Sequence, residues 1–196
     1  MALTEAEFRA FKALIDEPHR QTERECQNYL SHAANLLLPG TPVDTTTITE
    51  ERNYFGTADF IIADTIRDDA NRNVRSAYIC ELKAPQCYLF ERDNANRCRA
   101  TDDFLKAENQ LLHYTHQAIG DQTFRARMQV MDHTNIRIGG IVIGTRERFM
   151  RGSTGSMDIQ KADIALQVRE LYLYKSHGIR VLTWDRVLDY VRPFPA

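Results

Sequence analysis

Apolar residues recur at helical spacing near both ends of this chain and in β-like runs between. Phe8, Phe11 and Leu14-Ile15 line one side of a helix predicted over residues 4–16, with Thr4 as its cap and Pro18 closing it. Cys26, Leu30, Ala33 and Leu37 form the inward stripe of a longer helix over 21–38, stopped by Pro39-Gly40. Thr45–Tyr54 is rich in β-branched residues and predicts a first strand. Residues 58–66 predict a stronger one, residues 68–73 a turn, and residues 75–84 a third strand ended by Pro85. A polar, Arg-rich loop over 86–100 precedes a helix over 102–119, capped by Thr101 or Asp102 and ended by Gly120. A short helix over 123–132, an apolar strand over 136–144 and a basic Gly/Ser loop over 146–156 follow. Residues 157–177 predict a helix ended by Gly178. Ile179–Trp184 predicts a buried strand, and Asp185 caps a last helix to Arg192. The order α-α-β-β-β-α-(α)-β-α-β-α gives an α/β fold with one mixed central β-sheet flanked by helices.

Composition narrows this little. With 25 basic against 27 acidic residues the net charge is -2, which excludes a general polyanion coat but not a local basic groove. Of the basic residues 20 are Arg and 5 are Lys, a bias that suits bidentate phosphate contacts or reflects genomic composition. The longest apolar runs, such as Ile141-Val142-Ile143, are too short to cross a bilayer, so no membrane partner is expected. Residues 1–20 carry Glu5, Glu7, Asp16 and Glu17, a pattern unlike a secretory signal, and the expected compartment is the cytoplasm. Cys26, Cys80, Cys87 and Cys98 show no CxxC pair. A zinc site of Cys87, Cys98, His113 and His116 is conceivable, and scattered reduced thiols are the plainer reading.

The informative residues are Asp59, Glu81 and Lys83. A hairpin folded within residues 68–73 sets the start of one strand opposite the end of the next, so Asp59 faces Glu81 or Lys83. Parity agrees: Asp59, Ile61 and Ala63 share one face of their strand, and Ala77, Ile79, Glu81 and Lys83 share one face of theirs. Two carboxylates and an ammonium at the end of an apolar sheet face need a reason. A hard cation such as Mg²⁺ supplies one, since it acidifies a bound water and neutralises a phosphoryl oxygen. Taken alone, Glu-x-Lys on a strand reads as a solvated cross-strand pair. Gln110 and Tyr114 stack at i,i+4 on the helix over 102–119, where Gln110 can reach a metal-bound water, a phosphate or Lys83.

Asp59, then Glu81-Leu82-Lys83, then Gln110-x-x-x-Tyr114 resembles the PD-(D/E)xK nuclease superfamily, with the last motif resembling its exonuclease-like branch. More narrowly, the chain is similar to the nuclease domain of Shedu anti-phage defence proteins. The stretches that carry this are Ala58-Asp59-Phe60, Cys80-Glu81-Leu82-Lys83-Ala84-Pro85, Ala107-Glu108-Asn109-Gln110-Leu111-Leu112-His113-Tyr114 and Gly139-Gly140-Ile141-Val142-Ile143-Gly144, with Glu25-Cys26-Gln27-Asn28-Tyr29-Leu30 as a weaker match. Gly-Thr-Ala precedes Asp59 where the superfamily's name implies a Pro. The resemblance implies a restriction-endonuclease-like core over about 21–145, within a single nuclease domain spanning 1–196. Residues 1–20 form an N-terminal helix and 146–196 a C-terminal helix-strand-helix extension.

It further implies that Asp59, Glu81 and the Leu82 carbonyl ligate Mg²⁺ or Mn²⁺, that Lys83 acts on the attacking water, and that Gln110 positions Lys83 or the scissile phosphate with Tyr114 in support. Glu25 is taken as the first-helix acidic residue, with Glu23 as its rival. The expected function is metal-dependent hydrolysis of DNA in prokaryotic defence or repair. Arg146, Arg148 and Arg151 are candidate phosphate contacts, and Arg92, Arg97 and Arg99 invite the same reading with less force. Tyr172, Leu173 and Tyr174 are expected to pack their helix on the sheet or on a second protomer, so a homo-oligomer, or further domains of a defence system, stays open. Two other classes remain beside the nuclease: a catalytically silent nucleic-acid-binding or regulatory module on the same fold, and a structural subunit.

Overall fold

The computed structural model describes residues 2–38, 44–53, 56–67, 71–94, 97–153 and 155–193. The predicted stop at Pro39-Gly40, Tyr54 of the first strand and the first half of the 68–73 turn lie outside the described residues.

Helix α1 (Glu5–Asp16) begins at a capping box in which the Thr4 side chain and Glu7 serve each other's backbone amides. Helix α2 (Glu23–Leu30) passes into a 3-10 turn over Ser31–Leu36, so the single long helix expected over 21–38 is two segments. Ser31, His32 and Asn35 are weak helix formers, and the tighter turn keeps Ala33 and Leu37 buried all the same. Strands β1 (Asp44–Asn53), β2 (Gly56–Arg67) and β3 (Asn73–Leu82) form an antiparallel meander. The 86–100 segment holds two short strands, β4 (Phe90–Arg92) and β5 (Cys98–Ala100), which its polar composition conceals. Helices α3 (Asp102–Gly120) and α4 (Gln122–Met128) follow, and then β6 (Ile136–Val142) and the two-residue β7 (Met150–Arg151).

Helix α5 (Ser156–Arg169) runs on through a π turn over Glu170–Tyr174 and a 3-10 turn to Gly178, which ends it at φ +71°. Strand β8 (Arg180–Leu182) and helix α6 (Trp184–Tyr190) close the chain. Thr183, not Asp185, stands at the start of α6. Asp185 lies inside its first turn and accepts the Arg146 amide at 2.9 Å.

The main sheet has strand order β1-β2-β3-β6-β8, with β3, β6 and β8 parallel. The sheet is thus mixed and flanked by helices, as the alternation predicts. Strand β8 pairs directly with β6, so the segment treated as a C-terminal extension completes the main sheet. A small second sheet runs β5-β4-β7. Each face of the main sheet has its own core. Ile61, Ala63, Ala77, Ile79 and Ile141 pack under α3 and α4 through Phe104, Ala107, Leu111 and Phe124. Phe60, Ile62, Tyr78, Cys80 and Leu82 pack under α1, α2 and α6 through Phe11, Leu30 and Trp184. Period-2 alternation in β2 and β3 sorts these two sets, and it places the odd-numbered charged residues on the α3 side.

Candidate active site

Strand pairing sets the site. Towards its open end the hairpin pairs Phe60 with Cys80, and one further step of that register puts Asp59 in line with Glu81. The Asp59 carboxylate accepts the Leu82 amide at 3.0 Å, and its carbonyl accepts the side-chain amide of Gln27 from α2. Lys83 lies past the end of β3, but its backbone amide still donates to the Val142 carbonyl at 2.9 Å. Its ammonium donates to Glu81 Oε1 at 2.5 Å and to the Leu82 carbonyl at 2.9 Å. The structure therefore brings Asp59, Glu81, Leu82 and Lys83 together.

Strand β6 carries a bulge beside them. Between the pairs Ile79–Ile138 and Glu81–Ile141 the register gains one residue, at Gly139-Gly140. A Cβ on Gly139 would stand 2.9 Å from the Ile79 carbonyl oxygen, and one on Gly140 2.4 Å from that of Arg180. Only glycine lets three backbones approach this closely next to Glu81.

The electrostatics are those of a site with too much negative charge. The Glu81 side chain is 1% exposed, and its Oε2 has no hydrogen-bond partner. Burial, and then the neighbouring Asp59 carboxylate, push its pKa up to about 8 against the pull of Lys83. Burial alone would lower Lys83, but Glu81, Asp59 and Glu23 outweigh it and hold the ammonium above its ordinary value. An ion pair in balance would lower the acid as it raised the base; here both groups keep protons more tightly. That is the behaviour of a dry cluster short of positive charge.

Glu23, in the first turn of α2, belongs to the same cluster. Burial raises its pKa, while Lys83 pulls it down, Asp59 raises it again, and the nearby Ala84 backbone lowers it. Its position follows from a brace across the molecule. Thr22 donates its backbone amide to Gln86 Oε1 at 3.1 Å, and Gln86 Nε2 donates to the carbonyls of Leu14 and Glu17. Glu25, the residue preferred from sequence, is not brought to the site: it ion-pairs with Arg20 and sits in solvent. The two lie two residues apart on a helix and so point in different directions.

Hard oxygens suit a divalent cation here. Among the described residues no three His, Cys, Asp or Glu side chains stand close enough to share one ion. The oxygens that could hold one are those of Asp59, Glu81 and the Leu82 carbonyl, with waters for the remainder, a pattern Mg²⁺ would accept. The unpartnered Glu81 Oε2 fits that group. The conceivable zinc site of Cys87, Cys98, His113 and His116 does not form among the described residues, and all four cysteines are free thiols.

Gln110 and Tyr114 stack on α3 as the spacing predicts, with Gln110 Nε2 3.4 Å from the Tyr114 hydroxyl. Gln110 Oε1 is buried without a partner. His113 and His116 are exposed. Lys106 stands exposed one turn before Gln110 on the i,i+4 row 106, 110, 114 of α3.

The arginines of the basic loop have partners within the chain. Arg146 makes a bidentate pair with Asp163 at 2.5 and 2.6 Å and lies over the Phe149 ring. Arg148 donates to the carbonyls of Ile15 and Pro85, and Arg151 pairs with Glu91 at 3.2 Å. Arg92, Arg97 and Arg99 pair with Asp158, Asp93 and Glu91. Guanidinium groups bind any planar acceptor, so composition could not tell internal clamps from phosphate contacts. Of the aromatic run on the α5 side, Tyr174 is buried against Glu108, while Tyr172 and Leu173 remain exposed. No helix among the described residues is long and apolar enough to cross a membrane.

Compared with known proteins, residues 20–188 match the family model described as Shedu protein SduA, C-terminal. No curated protein matches the chain. The family match runs well past residue 145, in keeping with the place of β8 in the main sheet.

Proposed function

The chain belongs to the family of Shedu SduA C-terminal domains, and on that premise we propose that it is a Mg²⁺- or Mn²⁺-dependent deoxyribonuclease of the PD-(D/E)xK type, hydrolysing DNA phosphodiester bonds in prokaryotic anti-phage defence or DNA repair. The observation that carries this reading is the trio Asp59, Glu81 and Lys83 on one sheet face, with a fully buried and unpartnered carboxylate oxygen. A restriction-endonuclease-like core is part of the same proposal. Asp59, Glu81 and the Leu82 carbonyl would hold the cation. When bound, it acidifies a water and offsets charge on the phosphate.

The chain's own groups do the rest. Lys83, favoured in its charged form, donates hydrogen bonds to the attacking water and to the developing phosphorane oxygens instead of removing a proton. The Gln110 amide is free at Oε1 to accept from that water or from Lys83. Glu23 lies where it can take up a proton from the water as attack proceeds, its affinity for protons already raised by burial. The brace through Gln86 holds Glu23 against the turn after Lys83 and shortens the search for a reactive geometry.

The test is cleavage of linear and plasmid DNA with Mg²⁺ or Mn²⁺. Lys83→Ala is expected to lower the rate by roughly a hundredfold or more while the protein stays folded. Parent-like cleavage by that variant would end the role given to Lys83. One observation favours a second reading, a silent DNA-binding module: the Lys83 ammonium caps Glu81 Oε1 and the Leu82 carbonyl, two of the oxygens a cation would need. DNA binding that needs no metal and leads to no cleavage would establish that alternative.

A further inference from the structure

The geometry points to Trp184 as a positioning residue for Lys83, holding the backbone of that lysine through a hydrogen bond from its indole. What Lys83 does for the reaction rests on the nuclease reading; how it is held does not.

In a regular parallel ladder a residue gives its N–H to one residue of the neighbouring strand and takes the N–H of the residue two further on. Lys83 makes the first of these bonds, to the Val142 carbonyl at 2.9 Å. The second would come from Gly144, but the Gly144 amide goes to the Ala84 carbonyl at 3.2 Å. Gly144 turns there at φ +58°, past the end of β6. The Lys83 carbonyl is thereby left without a ladder donor, next to a buried carboxylate cluster where an unmade hydrogen bond is costly. Trp184 supplies the donor: its Nε1 lies 2.7 Å from that oxygen. An indole has one N–H and no acceptor, so the bond runs in one direction only. The Trp184 backbone amide donates to the Gly144 carbonyl at 2.9 Å. One residue thus ties the ends of β3 and β6 to the start of α6. Its ring is fully buried and stands edge-on to Phe11, with centroids 6.1 Å apart, so it has one place to be.

The peptide held in this way has two ends. Its carbonyl belongs to Lys83 and its N–H to Ala84, and a planar peptide fixes one when the other is fixed. The Ala84 backbone lies near Glu23 and favours its charged form. On the other side the Lys83 side chain reaches back to Glu81 Oε1 and the Leu82 carbonyl. Turning this peptide would move the lysine and the surroundings of Glu23 together. The C-terminal elements therefore act on the site through one indole.

Trp184 is the chain's one tryptophan, so benzothienylalanine, in which sulfur replaces the indole N–H, enters at this position alone when supplied in place of tryptophan. The ring keeps its shape and the core its packing. Single-turnover cleavage at saturating DNA with Mg²⁺ is expected to slow by about tenfold or more. Binding of the same DNA in EDTA is expected to stay unchanged. In the Lys83→Ala background the replacement is expected to cost nothing further, because the group it positions is gone. An equal loss in both backgrounds, or cleavage as fast as the parent's, overturns the positioning role. A second readout needs no cleavage: acylation by an amine-reactive ester, followed by mass spectrometry. The Lys83 side chain, 14% exposed, is expected to label slowly in the parent and several-fold faster after the replacement, with exposed Lys106 and Lys175 as internal standards. If the parent cleaves no DNA, the nuclease reading falls, and the labelling alone decides whether Trp184 holds Lys83. Lys83 labelling that the replacement leaves unchanged overturns the proposal.

Discussion

Glu81 is a carboxylic acid held in a dry site beside a second carboxylate, and pH acts on it first. Its proton is released at about pH 8 in the folded protein, far above the ordinary carboxylate range. Below that ordinary range the group is neutral in both folded and unfolded chains. Between the two values only the unfolded chain has lost the proton, so stability falls as pH rises through this window. Glu81→Gln removes the titration. Its melting temperature is expected to match the parent's at acid pH and to exceed it by roughly a few degrees above about pH 8. Added Mn²⁺ should raise the melting temperature of the parent but not of Glu81→Gln, because only the parent keeps both carboxylates. A variant less stable than the parent at alkaline pH would contradict the charge excess inferred for the site. Asp59, Glu81 and Lys83 were legible in sequence because strand parity and a single turn fix their faces. Glu23 was not separable from Glu25, since the choice depends on Gln86, 64 positions away from Thr22.

Elements were read well where they were long and periodic. The hairpin came from a turn and an alternation that each strand carries in itself, and the strand pairing then puts Asp59 in line with Glu81 where the sequence left Glu81 or Lys83. Strands β4, β5 and β7 have three, three and two residues, too few to show any period. Their pairing is made by partners up to 60 residues away, as between Phe90 and Met150. The π turn over Glu170–Tyr174 is equally silent in sequence; it coincides with Tyr174 reaching Glu108, a contact with α3. The bulge in β6 shows how element geometry serves the site. Gly140→Ala pushes a methyl group against the Arg180 carbonyl of β8 and the Leu37 side chain. It is expected to cost about 1–3 kcal/mol in urea unfolding, the usual penalty of overpacking. Cleavage should fall further than stability alone accounts for, because the displaced strand borders Glu81. An alanine tolerated in both assays would mean that β6 yields freely.

Across the whole molecule, arginine is the residue whose role composition conceals. An Arg-rich chain invites a picture of phosphate binding, while Arg92, Arg146 and Arg148 in this structure tie distant segments together. Arg148 is the plainest example: it donates at 3.4 Å to the Ile15 carbonyl at the end of α1 and at 3.3 Å to the Pro85 carbonyl, two residues beyond Lys83. With Gln86 it forms a double strap between the α1–α2 connection and the turn that carries the lysine. The two roles predict different outcomes for Arg148→Met, which keeps the apolar stem and removes the donors. If Arg148 holds a phosphate, the variant would bind DNA more weakly and with a salt slope reduced by about one, with little change in melting. If Arg148 is a strap, the variant leaves two buried-side carbonyls short of donors, at about 1–3 kcal/mol, and lets the α2 start drift from Lys83. We expect the second pattern: a melting temperature lower by several degrees, an unchanged salt slope, and a slower cleavage rate at saturating DNA. Thermal melts and a salt titration of DNA binding on the same variant separate the two, since a strap acts on the fold and a phosphate-binding group acts only on the ligand.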